Sequence, residues 1–467
     1  MSRYLYTSLV IVLLSAGCAV GPDYVKPTLV TVLSYSEKNP WKVVAPKDNL
    51  PKEGWWLVFN DTTLNQLEKQ AVASNASLEA AYARLMQARA IARVSAANLG
   101  PSLSIQSSGG KTSYSANRQV PPRSTAYSYT TNSYDLPLDF SYEVDLFGKV
   151  RRSVESSQAL AEATEASYNN FLLSLEAEVA ENYYSLRSYE TEKKLLQSAV
   201  EDRRQELNLI EIRKEGGAST DLELYQARIQ LDTALAAQIT LNQHSAILRH
   251  ALATLVNKTA DSFTIEIAPL TQEPPAIPVG LSSELIERRP DLAQAERQLA
   301  SASAQIGVAK AAFFPAIKLT ASAGYNSAAF SNLLKNSSQE SSLIPFISLP
   351  VFNEGQNRAN YESSKQAYNE ARASYKQKLL TAFEDVENSL SDIRYLSEQS
   401  SILRDSVDAS RKAAELSLLR YKEGVANYFE VVDADRTTLQ NQMTDTQLEG
   451  QRFIASIHLI KALGGGW

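Results

Sequence analysis

The chain repeats itself. Leu78, Leu85, Ala88, Ala97 and Pro101 return 214 residues later as Leu292, Leu299, Ala302, Ala311 and Pro315. Further on, Tyr168, Leu172, Leu173, Val179 and Arg187 return after 207 residues as Tyr375, Leu379, Leu380, Val386 and Arg394. Lys214-Glu215-Gly216-Gly217-Ala218 then matches Lys422-Glu423-Gly424-Val425-Ala426, with Arg228 and Leu231 falling on Arg436 and Leu439. Solenoid repeats run about 20–50 residues, so this period marks a tandem duplication whose drift comes from loop insertions. Any fold for the chain must be made twice over.

Each half reads helix, strand, strand, long helix, tight turn, helix. The first repeat spans 76–268, with a strand pair over 101–147, a long helix over 149–215 and a helix over 220–257. The second spans 283–463, with a strand pair over 315–352, a long helix over 356–423 and a helix over 428–463. A Pro-rich linker, 269–282, joins them, and 464–467 forms a tail. The clearest strand runs from Ser133 to Phe147, where Tyr134, Leu136, Leu138, Phe140, Tyr142, Val144 and Leu146 alternate with polar or acidic residues and Pro137. Ile317, Leu319, Ala321, Ala323 and Tyr325 alternate likewise, Leu103 and Ile105 begin a third strand, and 343–352 reads as a fourth. A period of two with one apolar face suits a membrane β-strand, lipid outside and water inside. A half-buried soluble sheet alternates in the same way. The Tyr/Ser/Thr-rich segments 106–132 and 325–340 read as exposed hairpin loops.

The helical stretches after each strand pair carry no proline and would reach roughly 100 Å at 1.5 Å per residue. Leu172, Leu175, Val179, Tyr183 and Leu186 recur at spacings of three and four with many alanines between, a coiled-coil-like pattern. Each stretch ends at a glycine, Gly216 or Gly424, able to take the left-handed conformation of a helix end. Thr220 with Glu223, and Asn427 with Glu430, read as capping boxes that restart the helix. Hairpin tips are thus expected at about 214–221 and 422–428, roughly 100 Å from the strands.

The N-terminus gives the compartment. Arg3, the apolar run Leu9-Val10-Ile11-Val12-Leu13-Leu14 and the small residues Ser15-Ala16-Gly17 precede Cys18, the only cysteine. Residues 1–17 read as a secretory signal peptide ending in a lipobox, with Cys18 as the lipidated new N-terminus of an 18–75 segment. The usual lipobox leucine is one place further back here, at Leu14, and an ordinary signal peptide with an incidental cysteine is the alternative. Ala19, not aspartate, follows the cysteine, which in lipoprotein sorting favours the outer membrane. Beyond the signal no apolar run approaches 18 residues, so a membrane crossing requires a closed barrel. Four strands cannot close one, since the smallest have about eight, and the chain must oligomerise to bury its strand edges. Three copies supply twelve strands.

Other classes fall away. The net charge of -6 gives no basis for nucleic acid as a partner. No phosphate loop, His-Glu-x-x-His motif or nucleophile elbow occurs, and His244, His250 and His458 are scattered, so neither a catalytic site, a metal nor a cofactor is expected. Three methionines, one of them the initiator, supply no thioether path for copper. A conduit and a structural or adhesive trimeric stalk remain. The duplicated strand pairs favour the conduit, because a stalk anchor needs no repeat.

Over essentially the whole mature chain the residues resemble the TolC family of outer membrane factors, in its lipoprotein branch serving resistance–nodulation–division efflux pumps. The resemblance rests on Cys18-Ala19-Val20-Gly21-Pro22-Asp23-Tyr24, on Trp55-Trp56 with Phe59 and Asp61, and on Phe140-Ser141-Tyr142-Glu143-Val144-Asp145-Leu146-Phe147-Gly148-Lys149. It continues through Glu287-Arg288-Arg289-Pro290-Asp291-Leu292, Ile306-Gly307-Val308-Ala309-Lys310-Ala311-Ala312-Phe313-Phe314-Pro315 and Ala462-Leu463-Gly464-Gly465-Gly466-Trp467. It implies a mainly α fold with β: a homotrimer whose twelve-stranded outer-membrane β-barrel, four strands per chain, continues into a long periplasmic α-helical barrel. Segment 18–75, the linker and the tail would add to an equatorial girdle. The implied partners are outer-membrane lipid, a periplasmic adaptor protein and an inner-membrane efflux pump, and the implied task is passive exit of their cargo. A type I protein-secretion duct uses similar architecture, and the chain does not specify the cargo.

In that family the residues six and nine places after the second tip glycine face the pore, and the fifth forms an apolar ring. Here these are Glu430, Asp433 and Phe429. Three symmetry-related carboxylates in a narrow mouth would attract cations. Acids of a first helical turn, favoured by the helix dipole, are the plain alternative. Gly216, Asp221 and Gly424 mark the tips expected to meet adaptor or pump, although Asp221 follows its glycine by five places, not six.

Overall fold

A computed structural model describes residues 19–27, 54–118, 127–277 and 288–465. The signal peptide, Cys18, much of segment 18–75, part of the linker and Trp467 lie outside the described residues. In chain order, a 3-10 turn (Trp55–Phe59) precedes helices α1 (Thr62–Ser74) and α2 (Ala76–Ala97) and strands β1 (Ser102–Ile105), β2 (Ser108–Tyr114) and β3 (Tyr129–Val144). Helices α3 (Lys149–Glu215), α4 (Asp221–Leu255) and α5 (Pro290–Ala311) follow. Then come strands β4 (Ala316–Ser327) and β5 (Gln339–Ser348) and helices α6 (Gln356–Lys422) and α7 (Tyr428–Ala462). The helices match in pairs: 22 residues for α2 and α5, 67 for α3 and α6, 35 for α4 and α7. No described helix is long and apolar enough to cross a membrane.

The chain divides into two compact units. One gathers Arg84–Glu165, Gln294–Tyr375 and the N-terminal stretch 19–27, and it holds the sheet. All pairings are antiparallel, in the order β1-β3-β4-β5, with β2 also on β3. The expected four strands are therefore five. Ile105 faces Leu138 and Ser108 faces Asp135, so β1 and β2 run end to end along one edge of β3 in a single register. The gap at Gln106 and Ser107 falls opposite Pro137 and Leu136. Proline has no N–H to give, and the ladder breaks there.

Register sorts the two faces. Leu103, Phe140, Ala321 and Leu343 form one cross-strand row, and Ser104, Asp139, Ser322 and Ser342 form a row on the other face. The hairpin loop expected over 325–340 holds for 328–338, which carries two 3-10 turns. Much of the described part of the loop expected over 106–132 is strand instead, with 119–126 outside the described residues. β2 pairs with 129–135, and β4 and β5 pair up to Tyr325 and Gln339. Thr and Tyr favour extended backbone even in a polar segment. The strand expected over 133–147 starts earlier, at Tyr129, and stops at Val144; the one expected over 343–352 runs over Gln339–Ser348 and ends before Leu349-Pro350.

In the same unit the stretch after Cys18 is strapped down. Val20 N–H donates to the Phe147 carbonyl at 3.0 Å, Arg152 donates to Asp23 at 2.5 Å, and Tyr24 donates to Glu296. Gly21 lies so close to Gly307 that a Cβ on it would sit 2.5 Å from the Gly307 Cα.

Among the described residues the other unit comprises 54–83, 166–277, 288–293 and 376–465. Its core stacks Tyr184 on Phe453 with ring centroids 4.5 Å apart, and Phe59 packs on both rings. Trp55 and Trp56 are buried beside them, and Trp55 Nε1 donates to Glu176 at 2.9 Å. The Trp55-Trp56, Phe59 and Asp61 motif is thus a packing motif. Asp61 caps α1 by accepting from the N–H groups of Thr63 and Leu64 at 2.9 and 3.1 Å.

Candidate functional site

Both hairpin tips lie in the second unit and are built by the same local chemistry. At the end of α3, Ala218 N–H returns to the Arg213 carbonyl at 2.7 Å while Gly217 takes φ +71°. At the end of α6, Val425 N–H returns to the Arg420 carbonyl at 3.0 Å while Gly424 takes φ +71°. Each is a six-to-one closure over a left-handed residue, which glycine adopts without a Cβ penalty. The first tip therefore turns on Gly217, not on Gly216. Two adjacent glycines left the sequence ambiguous by one place, and the helix ends resolve it: Gly217, Thr220 and Asp221 correspond to Gly424, Asn427 and Tyr428, each 207 residues on.

This register removes Asp221 as a counterpart of Glu430. Asp221 opens α4 four places after Gly217, and Lys214 lies 2.5 Å from its carboxylate. The sixth and ninth places after Gly217 hold Glu223 and Gln226. Glu223 closes a full capping box: its N–H donates to Thr220 Oγ1 at 3.3 Å and its carboxylate accepts from Thr220 N–H at 3.0 Å. Partial burial raises its pKa, but bonds from Ser219 and Thr220 outweigh that and hold it below the usual carboxylate range.

At the second tip only half of the expected box forms. Glu430 N–H donates to Asn427 Oδ1 at 3.1 Å, while the Glu430 carboxylate lies 3.6 Å from Arg420 instead. Phe429 is 60% exposed beside it, a large apolar ring left in the open at the turn. Asp433, one turn on, is exposed and accepts from Arg436 at 2.8 Å. Phe429, Glu430 and Asp433 thus sit together on the first turns of α7, and both acids have arginine neighbours that spacing from Gly424 did not reveal.

A buried cluster braces this tip. Tyr421 and Tyr428, one at each side of the turn, lie 5.4 Å apart and pack with Ile210, Ala227 and Val431. The Arg213 guanidinium stands 4.7 Å over the Tyr421 ring. Above it, a groove of about 560 Å³ is lined by Arg203, Glu206, Lys422, Asp435 and Gln442 among others. Glu206 and Asp435 come within hydrogen-bonding reach of each other there. Sequence reasoning did not single out this pair, because its partners lie on helices from different halves.

Among the described residues no group of three His, Cys, Asp or Glu side chains is placed to hold a metal. His244 stacks on Tyr189 with centroids 5.5 Å apart, and His458 lies 3.2 Å from Glu181.

The profile of the family described as Outer membrane efflux protein matches residues 67–258 and 281–465. The outer membrane protein OprJ of Pseudomonas aeruginosa is 32% identical over 466 residues, covering 99% of this chain and 95% of its own. The solvent efflux pump outer membrane protein SrpC of Pseudomonas putida is 31% identical, covering 97% of each. The solved structure of the outer-membrane channel OprN, at 32% identity, superposes with a TM-score of 0.89 over 96% of this chain and 100% of that one. Along nearly its whole length, then, the chain belongs to the outer membrane efflux protein family.

Proposed function

We propose that three copies of the chain form the outer-membrane exit duct of a tripartite efflux system, a passive channel fed by an inner-membrane pump through a periplasmic adaptor. The observation that carries this reading is the sheet. It is four ranks wide. β3 and β4 are apolar on one face and largely polar on the other, and β5 adds Ile344 and Phe346 opposite Thr320 and Lys318 on the polar side. The two outer ranks, β1 with β2 and β5, have no partner on their far sides among the described residues. Leu343, Ile344, Phe346 and Ile347 of the β5 edge are exposed in the single chain. An open apolar edge is an aggregation hazard unless another chain pairs with it. Four ranks are too few to close alone, and three chains give a twelve-stranded barrel.

The equal helix pairs support a tandem duplication, and so support a helical tube built from both halves. Cys18, two residues before Val20, which is strapped to Phe147, is the proposed lipid anchor. Phe429, Glu430 and Asp433 are proposed as the gate, and the tips around Gly217 and Gly424 as the surface that meets adaptor or pump. Catalysis has no place in this reading, and the family is one of efflux ducts.

Native mass measurement in mild detergent, followed by planar-bilayer recording, tests the proposal. Three chains and discrete ion-conducting events are expected. A well-folded monomer with its full sheet content would overturn the shared barrel, and a trimer that never conducts would favour a stalk.

A further inference from the structure

Glu206 on α3 and Asp435 on α7 face the same groove and approach within hydrogen-bonding reach. Two carboxylates at that distance cannot both stay ionised cheaply, and one proton between them makes a short, strong bridge. Their surroundings offset only part of this: Arg203 favours the ionised form of both acids, but burial outweighs it. On α3, Asp202 adds a like charge; Arg203 is the near cation, but its Nη1 donates to the Gln230 carbonyl of α4 at 2.9 Å. From α6, Glu415, Lys422 and Tyr421 belong to the same region, and on α7 the buried Tyr428 lies beside both acids. Tyr428 also belongs to the apolar cluster bracing the turn that presents Phe429 and Glu430.

We propose that Glu206 and Asp435 share a proton across the α3–α7 contact and act as a pH-dependent clasp on the hairpin that carries Phe429, Glu430 and Asp433. The clasp rests on the reading of that hairpin as the gate. Its sign follows from the geometry. Burial, and then the neighbouring Asp435, push Glu206 up from 4.5 to about 7, and burial raises Asp435 as well. In a hairpin swung away from α3 both groups would return to ordinary carboxylate values. The proton-shared contact is therefore at full strength below the ordinary value and is lost as pH rises through about 7. Acid holds the tip closed; mild alkali loosens it.

The test is single-channel recording of the full-length protein in planar bilayers at pH 6 and pH 8, beside Glu206→Gln and Asp435→Asn. Both substitutions keep the shape and a hydrogen bond but remove the titrating charge. Wild-type open probability should rise about tenfold over that interval, the limit for one released proton with a pKa near 7. Each variant should lose the rise and stay closed at pH 8. A rise of equal size in wild type and both variants overturns the clasp. Should no protein conduct at any pH, the duct reading fails by itself, and amide exchange across 428–440 then decides the clasp. Wild-type exchange, corrected for the intrinsic rate, should speed up at pH 8, whereas Glu206→Gln should not. Peptides from α5 report whether each variant is folded. Wild-type protection that does not change with pH overturns the clasp without reference to any variant.

Discussion

Arg187 donates to Asp61 Oδ2 at 2.7 Å, with both side chains nearly buried, and the same oxygen accepts from the Tyr183 hydroxyl at 2.9 Å. The Asp61 carboxylate thereby joins the N-terminus of α1 to the middle of α3. Arg187 extends the link by donating to the Ala268 and Pro269 carbonyls at 3.1 and 2.9 Å. Breaking a buried pair from one side strands the other charge, which costs about 3–5 kcal/mol. Asp61→Ala should lower stability by that order, as read from denaturant unfolding of the helical signal in detergent. Asp61→Asn keeps an acceptor and a cap and should lose less. An Asp61→Ala protein as stable as wild type would show that the link contributes nothing net.

The two adjacent glycines of the first tip should separate cleanly. Gly217 holds φ +71° with open space around it, so alanine there meets only backbone strain, about 1–2 kcal/mol. Gly216 has an ordinary helical-side conformation and its alanine variant should cost nothing. Amide exchange of the 205–235 segment measures both. Equal effects at the two positions would contradict the turn geometry.

Lipidation at Cys18 is predicted to leave the strap intact. Val20 and Asp23 hold onto Phe147 and Arg152 without the cysteine. Cys18→Ser should therefore lose the lipid-dependent mass and fatty-acid label while keeping its helical signal. Intact-mass analysis showing an unmodified Cys18 in mature wild type would refute the anchor.

How much of this was legible beforehand depends on the range of the interaction. The paired helix lengths, the apolar strand face and the Thr220–Glu223 box are written in local periodicity, where one residue type every two or every three to four places suffices. The break between β1 and β2 was not read, because it is caused by Pro137 on the partner strand. Gly217 was missed in favour of Gly216 because both can take φ above zero and only the closing bonds choose. Arg436 was missed as the neighbour of Asp433, although its spacing of three on a helix was available. Glu206 and Asp435 are 229 residues apart in the chain, and no local signal joins them.

The proposed gate makes the sharpest prediction. Asp433 lies nine places after Gly424 on an exposed face, with Phe429 one turn before it and also exposed. Around a threefold axis, three such carboxylates would attract multivalent cations far more strongly than monovalent ones, since attraction scales with charge. Small cations should pass in preference to anions, and a trivalent cation on the periplasmic side should block current. Asp433→Asn should weaken that block with trimer yield unchanged. Arg436, 2.8 Å from Asp433, partly offsets the field, yet an exposed pair of this kind is worth only about 0–1 kcal/mol. Arg436→Ala should thus strengthen the block without changing stability. Phe429→Ala removes packing and no charge, so it should raise resting conductance and leave ion preference alone. Bilayer conductance with and without the trivalent ion reads all three variants. Equal block in wild type, Asp433→Asn and Arg436→Ala would place Asp433 away from the mouth, whatever its distance from the glycine.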